Sequence, residues 1–215
     1  RAGPEIGVAA TKTFSSQVAT LVLLGERITR DVTGSPTPDS AARLQALAEL
    51  PEHVQTVLET SRAADVADRF AHEESHFFIG RGSAFAVALE GALKFKEITY
   101  EHAEGFAAGE LKHGPLALVT PETPVVTIFT GNEDEQTLKN AEEAATRGAP
   151  IVAVCPDGHE ALDVADSHLR IPDVHPALAG ILATVQLQLV SYHAADLLDR
   201  AIDKPRNLAK SVTVE

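Results

Sequence analysis

The chain has 215 residues, of which 44% are hydrophobic and 23% are charged. This composition is typical of a globular protein with a sizeable core, and it excludes a disordered or fibrous chain. The net charge of −13, from 18 basic and 31 acidic residues, disfavours nucleic acid and anionic membrane surfaces as partners but leaves small anionic ligands open.

The chain shows no apolar run that approaches the ~20 residues of a bilayer span. Its start does not read as a signal peptide, so we expect a cytoplasmic protein without membrane contact. It begins with Arg1 and contains no methionine, which indicates a piece of a longer protein.

The N-terminal part reads as helical. The first thirty residues are predicted to form one helix, with Pro4 in the first turn and an apolar side beginning at Val18. The stretch DVTGSPTPDS, residues 31–40, then breaks the pattern and is the best domain boundary in the chain. Helical segments follow from about 41 to 70, and Pro51 is expected to open the second of them.

Strand and helix alternate in the rest of the chain. A helical pattern covers residues 133–148, closed by Gly148, and a final helix is predicted at about 176–198. Continuous apolar strands separated by helices predict a parallel sheet covered on both faces. The predicted strands are HFFIG (76–80), VVTIFT (125–130), IVAVC (151–155) and HLRIP (168–172).

The stretch FFIGRGSAFAVALEG predicts a strand, a tight glycine turn and a helix with Ser83 as its N-cap. Backbone N–H groups at such a helix start favour anions, so a phosphate is one possible ligand. Gly80 and Gly82 alone do not complete a dinucleotide-binding fingerprint. An ordinary strand-to-helix turn is the alternative interpretation.

A charged stripe is the main candidate site. The stretch EGALKFKE places Glu90, Lys94 and Glu97 at spacings i, i+4 and i+7, which in a helix fall within an arc of roughly 60°. Apolar residues surround most of the predicted helix from 87 to 100, so we expect it to be buried. Buried charges need partners or a chemical task. A simple helix salt bridge between Glu90 and Lys94 is the alternative.

His113 directly precedes Gly114 and Pro115, so it should end a helix at a loop. A histidine there can donate and accept protons near neutral pH. A structural loop histidine is the other interpretation.

The stretch HEESH, residues 72–76, fits the H-E-x-x-H zinc pattern, and a zinc hydrolase is therefore one hypothesis. That chemistry requires His72 and His76 on one continuous helix. His76 opens a predicted strand instead, so we expect no metal site here.

Four stretches, in order along the chain, closely resemble the isomerase half of the glutamine:fructose-6-phosphate amidotransferase family, and the match runs from Ala2 to Glu215. This resemblance implies an α/β fold of the SIS (sugar isomerase) type, with a flavodoxin-like parallel five-stranded sheet between helices. It divides the chain into the terminal helix of a truncated preceding SIS subdomain (1–33), a second SIS domain (34–199) and an irregular C-terminal tail (200–215). The four stretches are EIGVAATKTFSSQ, GRGSAFAVALEGALKFKEITY, HAEGFAAGELKHGPLAL and PRNLAKSVTVE.

The resemblance also implies roles for the charged residues. Glu97 is identified as the base that moves a proton between C1 and C2 of the sugar, and Lys210 as the amine that forms an imine with the open-chain ketose. His113, contributed by a neighbouring subunit, is implied to assist ring opening. Glu90 and Lys94 are identified as supporting charges.

The implied reaction converts fructose 6-phosphate and glutamine to glucosamine 6-phosphate and glutamate, in a homodimer, without a metal or an organic cofactor. Val8 and Ala209 match positions that line the sugar, mostly through backbone contacts. Ala10 replaces the serine usual in this family. The phosphate loop of the first SIS subdomain and the glutaminase domain fall outside these 215 residues, so we expect the chain to fold but not to make glucosamine 6-phosphate alone.

A non-catalytic sugar-phosphate-binding SIS module remains a second hypothesis. Such a sensor needs no amine at Lys210, whereas an imine mechanism does.

Overall fold

A parallel sheet of five strands lies between helices in the computed structural model, which describes residues 2–211. The strand order is β2-β1-β3-β4-β5, which is the flavodoxin-like order. The predicted fold class is therefore confirmed. The strands are β1 (Ser75–Gly80), β2 (His102–Ala107), β3 (Val125–Ile128), β4 (Ile151–Cys155) and β5 (Ser167–Arg170). The α-helices are α1 (Lys12–Thr33), α2 (Ser40–Thr60), α3 (Ala63–Phe70), α4 (Ser83–Thr99), α5 (Asp134–Ala145) and α6 (Pro176–Leu197).

Alternate residues of the central strands point into two apolar layers. Phe78 of β1 packs with the helical layer that includes α3, α4 and α6. Phe77 and Ile79 face the opposite side, where α5 and the 3₁₀ helix Ala108–His113 cover the sheet. Because both faces are covered, these strands read as continuous apolar runs.

α6 has the length and apolar composition of a membrane-spanning helix, contrary to the expectation that no such segment exists. Most of it is buried inside the protein, where it packs against α3 and α4. Its apolar character is therefore that of a core helix enclosed on most sides.

The predicted helix over the first thirty residues is wrong at its start, because residues 2–11 are not helical. The Glu5 carboxylate accepts hydrogen bonds from the backbone N–H of Thr11 (2.9 Å) and of Thr13 (3.3 Å). These bonds satisfy N–H groups that the first turn of α1 leaves free. Partial burial raises the pKa of Glu5, but the hydrogen bonds from Thr13 and Thr11 outweigh it and lower the pKa to about 2. Arg1 lies outside the described residues, as do residues 212–215 of the predicted tail.

Pro51 does not open a second helix as predicted, but lies inside α2. The break comes later, where the Ser61 hydroxyl accepts the backbone N–H of Ala63 (3.1 Å) and donates to the Gln186 side chain (2.6 Å). This tertiary hydrogen bond places the boundary, and the proline removes one helical hydrogen bond without ending the helix.

β2 was not among the four strands predicted from the sequence. It is an edge strand that pairs in parallel with β1. A Cβ atom at Gly105 would lie 2.8 Å from the Cα of Leu89, so the glycine permits α4 to pack directly on this strand. Glycine lowers strand propensity, which is why the local pattern was weak.

Candidate functional site

α4 positions the charged stripe. It begins after the tight turn at Gly82 and packs against β1, β2 and α6. The expectation of a mostly buried helix is confirmed, except for a narrow exposed stripe that includes Leu89, Leu93 and Lys96.

Glu90, Lys94 and Glu97 form a largely buried charged trio on α4. The Lys94 Nζ lies 2.6 Å from Oε2 of Glu97 and 3.6 Å from Oε1 of Glu90. Their side chains are only 13%, 6% and 21% exposed, in chain order. The trio is therefore not a set of solvent-exposed ion pairs along a helix. The buried ammonium is compensated by two carboxylates, as a buried charge requires.

The trio has two carboxylates and one ammonium, and this balance of charges bears on the pKa of Glu90. Burial raises the pKa of Glu90, and the nearby Glu97 charge raises it further, against the opposing effect of Lys94. A partly desolvated carboxylate beside a second carboxylate takes up a proton more readily than an exposed one, and here this applies to Glu90. A carboxylate is a residue type that can take a proton from a bound ligand and return it.

The two ends of the described chain meet beside each other. The Lys210 Nζ donates to the carbonyl oxygens of Gly7 (2.9 Å) and Val8 (3.2 Å), and the Val8 N–H donates to the carbonyl of Asp203 (3.0 Å). Lys210 itself is exposed. The structure thus brings together Val8 and Lys210, two of the residues predicted from the sequence, with Ala209 next to Lys210 in the chain.

The tail also contacts the end of α4. The Arg200 Nε donates to the carbonyl of Thr99 (3.1 Å), and the Arg206 N–H donates to the Tyr100 hydroxyl (3.0 Å). The sequence analysis did not predict the contact between Tyr100 and Arg206. Nothing in either local pattern indicates a contact that spans 106 positions.

His113 is the last residue of a 3₁₀ helix and is followed by Gly114, so its predicted position at a helix end is confirmed. Its side chain is exposed. Within residues 2–211 it forms no hydrogen bond or ion pair with the charged trio or with Lys210, so this single chain does not bring it to them.

The glycine turn before α4 has a structural reason of its own. A Cβ atom at Gly80 would lie 2.5 Å from the carbonyl carbon of Ala84, so glycine is needed for the helix to approach the strand. Ser83 is the first helical residue and not the N-cap, which is Gly82. The Ser83 hydroxyl lies 3.3 Å from that of Thr130. The prediction of Ser83 as an N-cap is therefore wrong.

The HEESH stretch does not have the helix that zinc binding requires. α3 ends at Phe70, and His76 lies in β1. The His76 Nε2 is hydrogen-bonded to the Phe70 carbonyl (2.8 Å), and the centre of its ring lies 4.3 Å from that of Phe95, with the two rings tilted by 43°. No cluster of three metal-binding side chains was found in the described part of the chain.

Comparison with known proteins agrees with the fold described above. The SIS domain profile matches residues 69–197. The glutamine–fructose-6-phosphate aminotransferase (isomerizing) of Halobacterium salinarum is 51% identical over 217 residues, covering all of this chain and 36% of that protein. The chain thus spans about a third of the length of the curated relatives it matches.

Solved structures of other proteins also share this fold. The C-terminal domain of glucosamine-fructose-6-phosphate aminotransferase from Francisella tularensis superposes with a TM-score of 0.87 at 33% identity, over 94% of this chain and 58% of that one. A glucosamine-6-phosphate deaminase from Thermotoga maritima superposes with a TM-score of 0.72 at 26% identity, over 98% of this chain and 59% of that one. The chain belongs to the SIS domain family.

Proposed function

We propose that this chain is the C-terminal isomerase part of a glutamine–fructose-6-phosphate aminotransferase. The whole enzyme would convert fructose 6-phosphate and glutamine to glucosamine 6-phosphate and glutamate. The observation that carries the proposal is the buried trio of Glu90, Lys94 and Glu97, in a chain that aligns over its full length with such an enzyme.

Glu97 is the proposed base. Among the three members of the trio it has the most exposed side chain, so a bound sugar can reach it more readily than Glu90 or Lys94. Its carboxylate would take the proton from C1 and deliver it to C2, which is a general acid–base role. Lys94 and Glu90 would hold the carboxylate in place and balance its charge.

Lys210 is the proposed imine-forming residue. Its amine would condense with the ketone carbon of the open-chain sugar, releasing water. Its present partners are the carbonyl oxygens of Gly7 and Val8, and Val8 and Ala209 are proposed to line the sugar. The amine is thus already beside backbone that we assign to the substrate site. His113 of a neighbouring subunit would move the proton that opens the sugar ring.

We further propose the division of the chain stated above. Residues 1–33 would complete a preceding SIS subdomain, 34–199 would form the second SIS domain and 200–215 the catalytic tail. The working enzyme would be a cytoplasmic homodimer that needs neither nucleic acid nor membrane. The 215 residues alone would not produce glucosamine 6-phosphate, because neither the phosphate loop nor the ammonia supply would be present.

Borohydride trapping tests the imine directly. The full-length enzyme is incubated with fructose 6-phosphate, reduced, and digested for mass spectrometry. We expect a stable sugar adduct on Lys210. Lys210→Arg keeps the positive charge but cannot form the imine, so the adduct should disappear, whereas the tail control Lys204→Arg should retain it.

A non-catalytic sugar-phosphate sensor is the alternative function, and the same experiment separates the two. A sensor would bind fructose 6-phosphate without an adduct and without turnover. Full turnover with no adduct at Lys210 would instead reject the imine mechanism.

A further inference from the structure

Tyr100 adopts a backbone conformation that is unfavourable for a tyrosine. It follows α4 directly, with φ of 70° and ψ of 7°, and its N–H caps the helix by donating to the Lys96 carbonyl. Glycine is the usual residue at such a left-handed helix end, because a side chain is strained there. A bulky residue at this position indicates that its side chain has a task that outweighs the strain.

The Tyr100 side chain is held by the C-terminal tail. The guanidinium carbons of Arg206 and Arg200 lie 4.4 Å and 5.3 Å from the centre of its ring. These distances are those of cation–π contacts. The hydroxyl accepts the backbone N–H of Arg206 at 3.0 Å, so ring and hydroxyl both bind the tail.

Arg200 makes a second set of contacts between the tail and the end of α4. Its Nε donates to the carbonyl of Thr99 (3.1 Å), and its Nη2 lies 3.4 Å from the Glu101 carboxylate. The Thr99 carbonyl is one of those that a helix end leaves without an internal partner. The tail thus completes the hydrogen bonding of the C-terminus of α4.

Residues with strained backbone conformations are concentrated where the tail contacts the end of α4. Four non-glycine residues in the described chain have positive φ, and three of them lie here: Tyr100, Asp199 and Asn207. Such conformations persist only where surrounding contacts impose them, and they cluster at functional sites. Asp199 precedes Arg200 and Asn207 follows Arg206, so both lie next to the tail residues that contact the end of α4.

We propose that Tyr100 is a positioning residue that holds the catalytic tail in register with α4. This inference rests on the proposed function of Glu97 and Lys210. Glu97 precedes Tyr100 by three positions, about one helical turn, and Lys210 follows the docked Arg206 by four. Tyr100 therefore links the element that carries the base to the segment that carries the imine amine.

Tyr100→Gly separates this role from stability. Glycine adopts the left-handed conformation without strain, so the melting temperature should not fall, while the ring and hydroxyl that hold the tail are lost. In the full-length enzyme at saturating fructose 6-phosphate, we expect the rate of borohydride trapping at Lys210 to fall at least about tenfold, the effect of losing two cation–π contacts and a hydrogen bond. Tyr100→Phe keeps the ring and should lose about threefold or less.

A second readout does not depend on activity. Limited trypsin digestion should cleave after Arg206 about tenfold faster in Tyr100→Gly than in the unmodified enzyme, because the tail undocks more often. Tyr192→Ala is the matched control, since Tyr192 is exposed on α6 and should change neither readout.

The outcomes distinguish the two proposals. Absence of a Lys210 adduct in the unmodified enzyme would reject the imine mechanism, and absence of turnover as well would reject the proposed function. A normal adduct there, together with unchanged trapping or unchanged cleavage in Tyr100→Gly, would overturn the positioning role. A lower melting temperature with normal trapping would assign Tyr100 to stability alone and would overturn it as well.

Discussion

The Lys210 Nζ lies 3.2 Å from the carbonyl oxygen of Val8, although 202 positions separate the two residues. Both were predicted as site residues from opposite ends of the chain. Their contact closes the described chain on itself, and the Val8 N–H bond to Asp203 strengthens the closure. The amine that we propose to form the imine lies on an irregular segment and requires such anchors, because an ordered geometry makes a catalytic group effective.

Glu97→Gln should abolish isomerisation in the full-length enzyme while the protein remains folded. The amide cannot take the C1 proton, and loss of a general base reduces turnover by roughly 100- to 10,000-fold. The amide oxygen can still accept a hydrogen bond from Lys94, and Glu90 remains as a countercharge. The free energy of unfolding, measured by urea denaturation, should therefore change by no more than about 1 kcal/mol.

Glu104→Gln is the control for this change, because Glu104 is an exposed carboxylate on β2 and its loss should leave turnover intact. A collapse of folding in Glu97→Gln would show that the carboxylate serves the structure. Isomerisation at the unmodified rate would reject Glu97 as the base.

Lys94→Met should destabilise the protein by about 3 kcal/mol. Removing the ammonium leaves two partly buried carboxylates without their shared partner, which is costlier than losing the ion pair itself. Lys96→Met is a closely matched control on the same helix, because Lys96 is exposed and its replacement should cost less than about 0.5 kcal/mol. Chemical denaturation of both variants measures the difference, and equal stabilities would mean that the trio does not depend on its ammonium.

His113→Ala should impair the use of the closed-ring sugar selectively. Ring opening needs a proton moved from the hydroxyl to the ring oxygen, so turnover of the cyclic substrate should fall by about 100-fold. An open-chain substrate bypasses this step and should lose little. Because His113 is exposed, the melting temperature should remain unchanged. Equal losses on both substrates would count against the assigned role.

His76→Phe should reduce the dependence of stability on pH below neutrality. Burial lowers the pKa of His76 from its ordinary value of 6.5, so the unfolded chain takes up a proton that the folded chain resists. The unfolding free energy should fall as pH drops below about 6.5, with a slope of up to about 1.4 kcal/mol per pH unit from this group. Phenylalanine preserves the apolar contact with Phe95 and removes this slope.

Urea denaturation at a series of pH values between 5 and 8, a range of roughly three units around the histidine transition, measures the effect. His72→Gln is the control, because His72 lies four positions earlier on the surface and its replacement should keep the slope. An unaltered slope in His76→Phe would mean that other groups cause the acid sensitivity.

The central strands could be predicted from the sequence. β1, β3 and β4 carry apolar runs that are buried on both faces, and such a run is recognisable without knowledge of its neighbours. β2 could not be predicted in the same way, because it depends on pairing with β1 and on the close approach of α4 at Gly105.

The candidate site also has parts that could be predicted from the sequence and parts that could not. The charged trio was predictable because spacings of three and four residues place side chains on one helical face. The irregular segment at residues 2–11 was not, since the Glu5 carboxylate replaces helical hydrogen bonds at the start of α1. A side chain that folds back in this way leaves no periodic signal.

By itself, the amino-acid sequence determined the alternation of buried strands and helices and the charges gathered on α4, because both depend on spacings of a few residues. Only the tertiary structure decided that Lys210 lies beside Val8 and that Arg206 docks on Tyr100. These contacts join positions 202 and 106 residues apart. They form only after the sheet and α4 have brought the two ends of the chain to the same place.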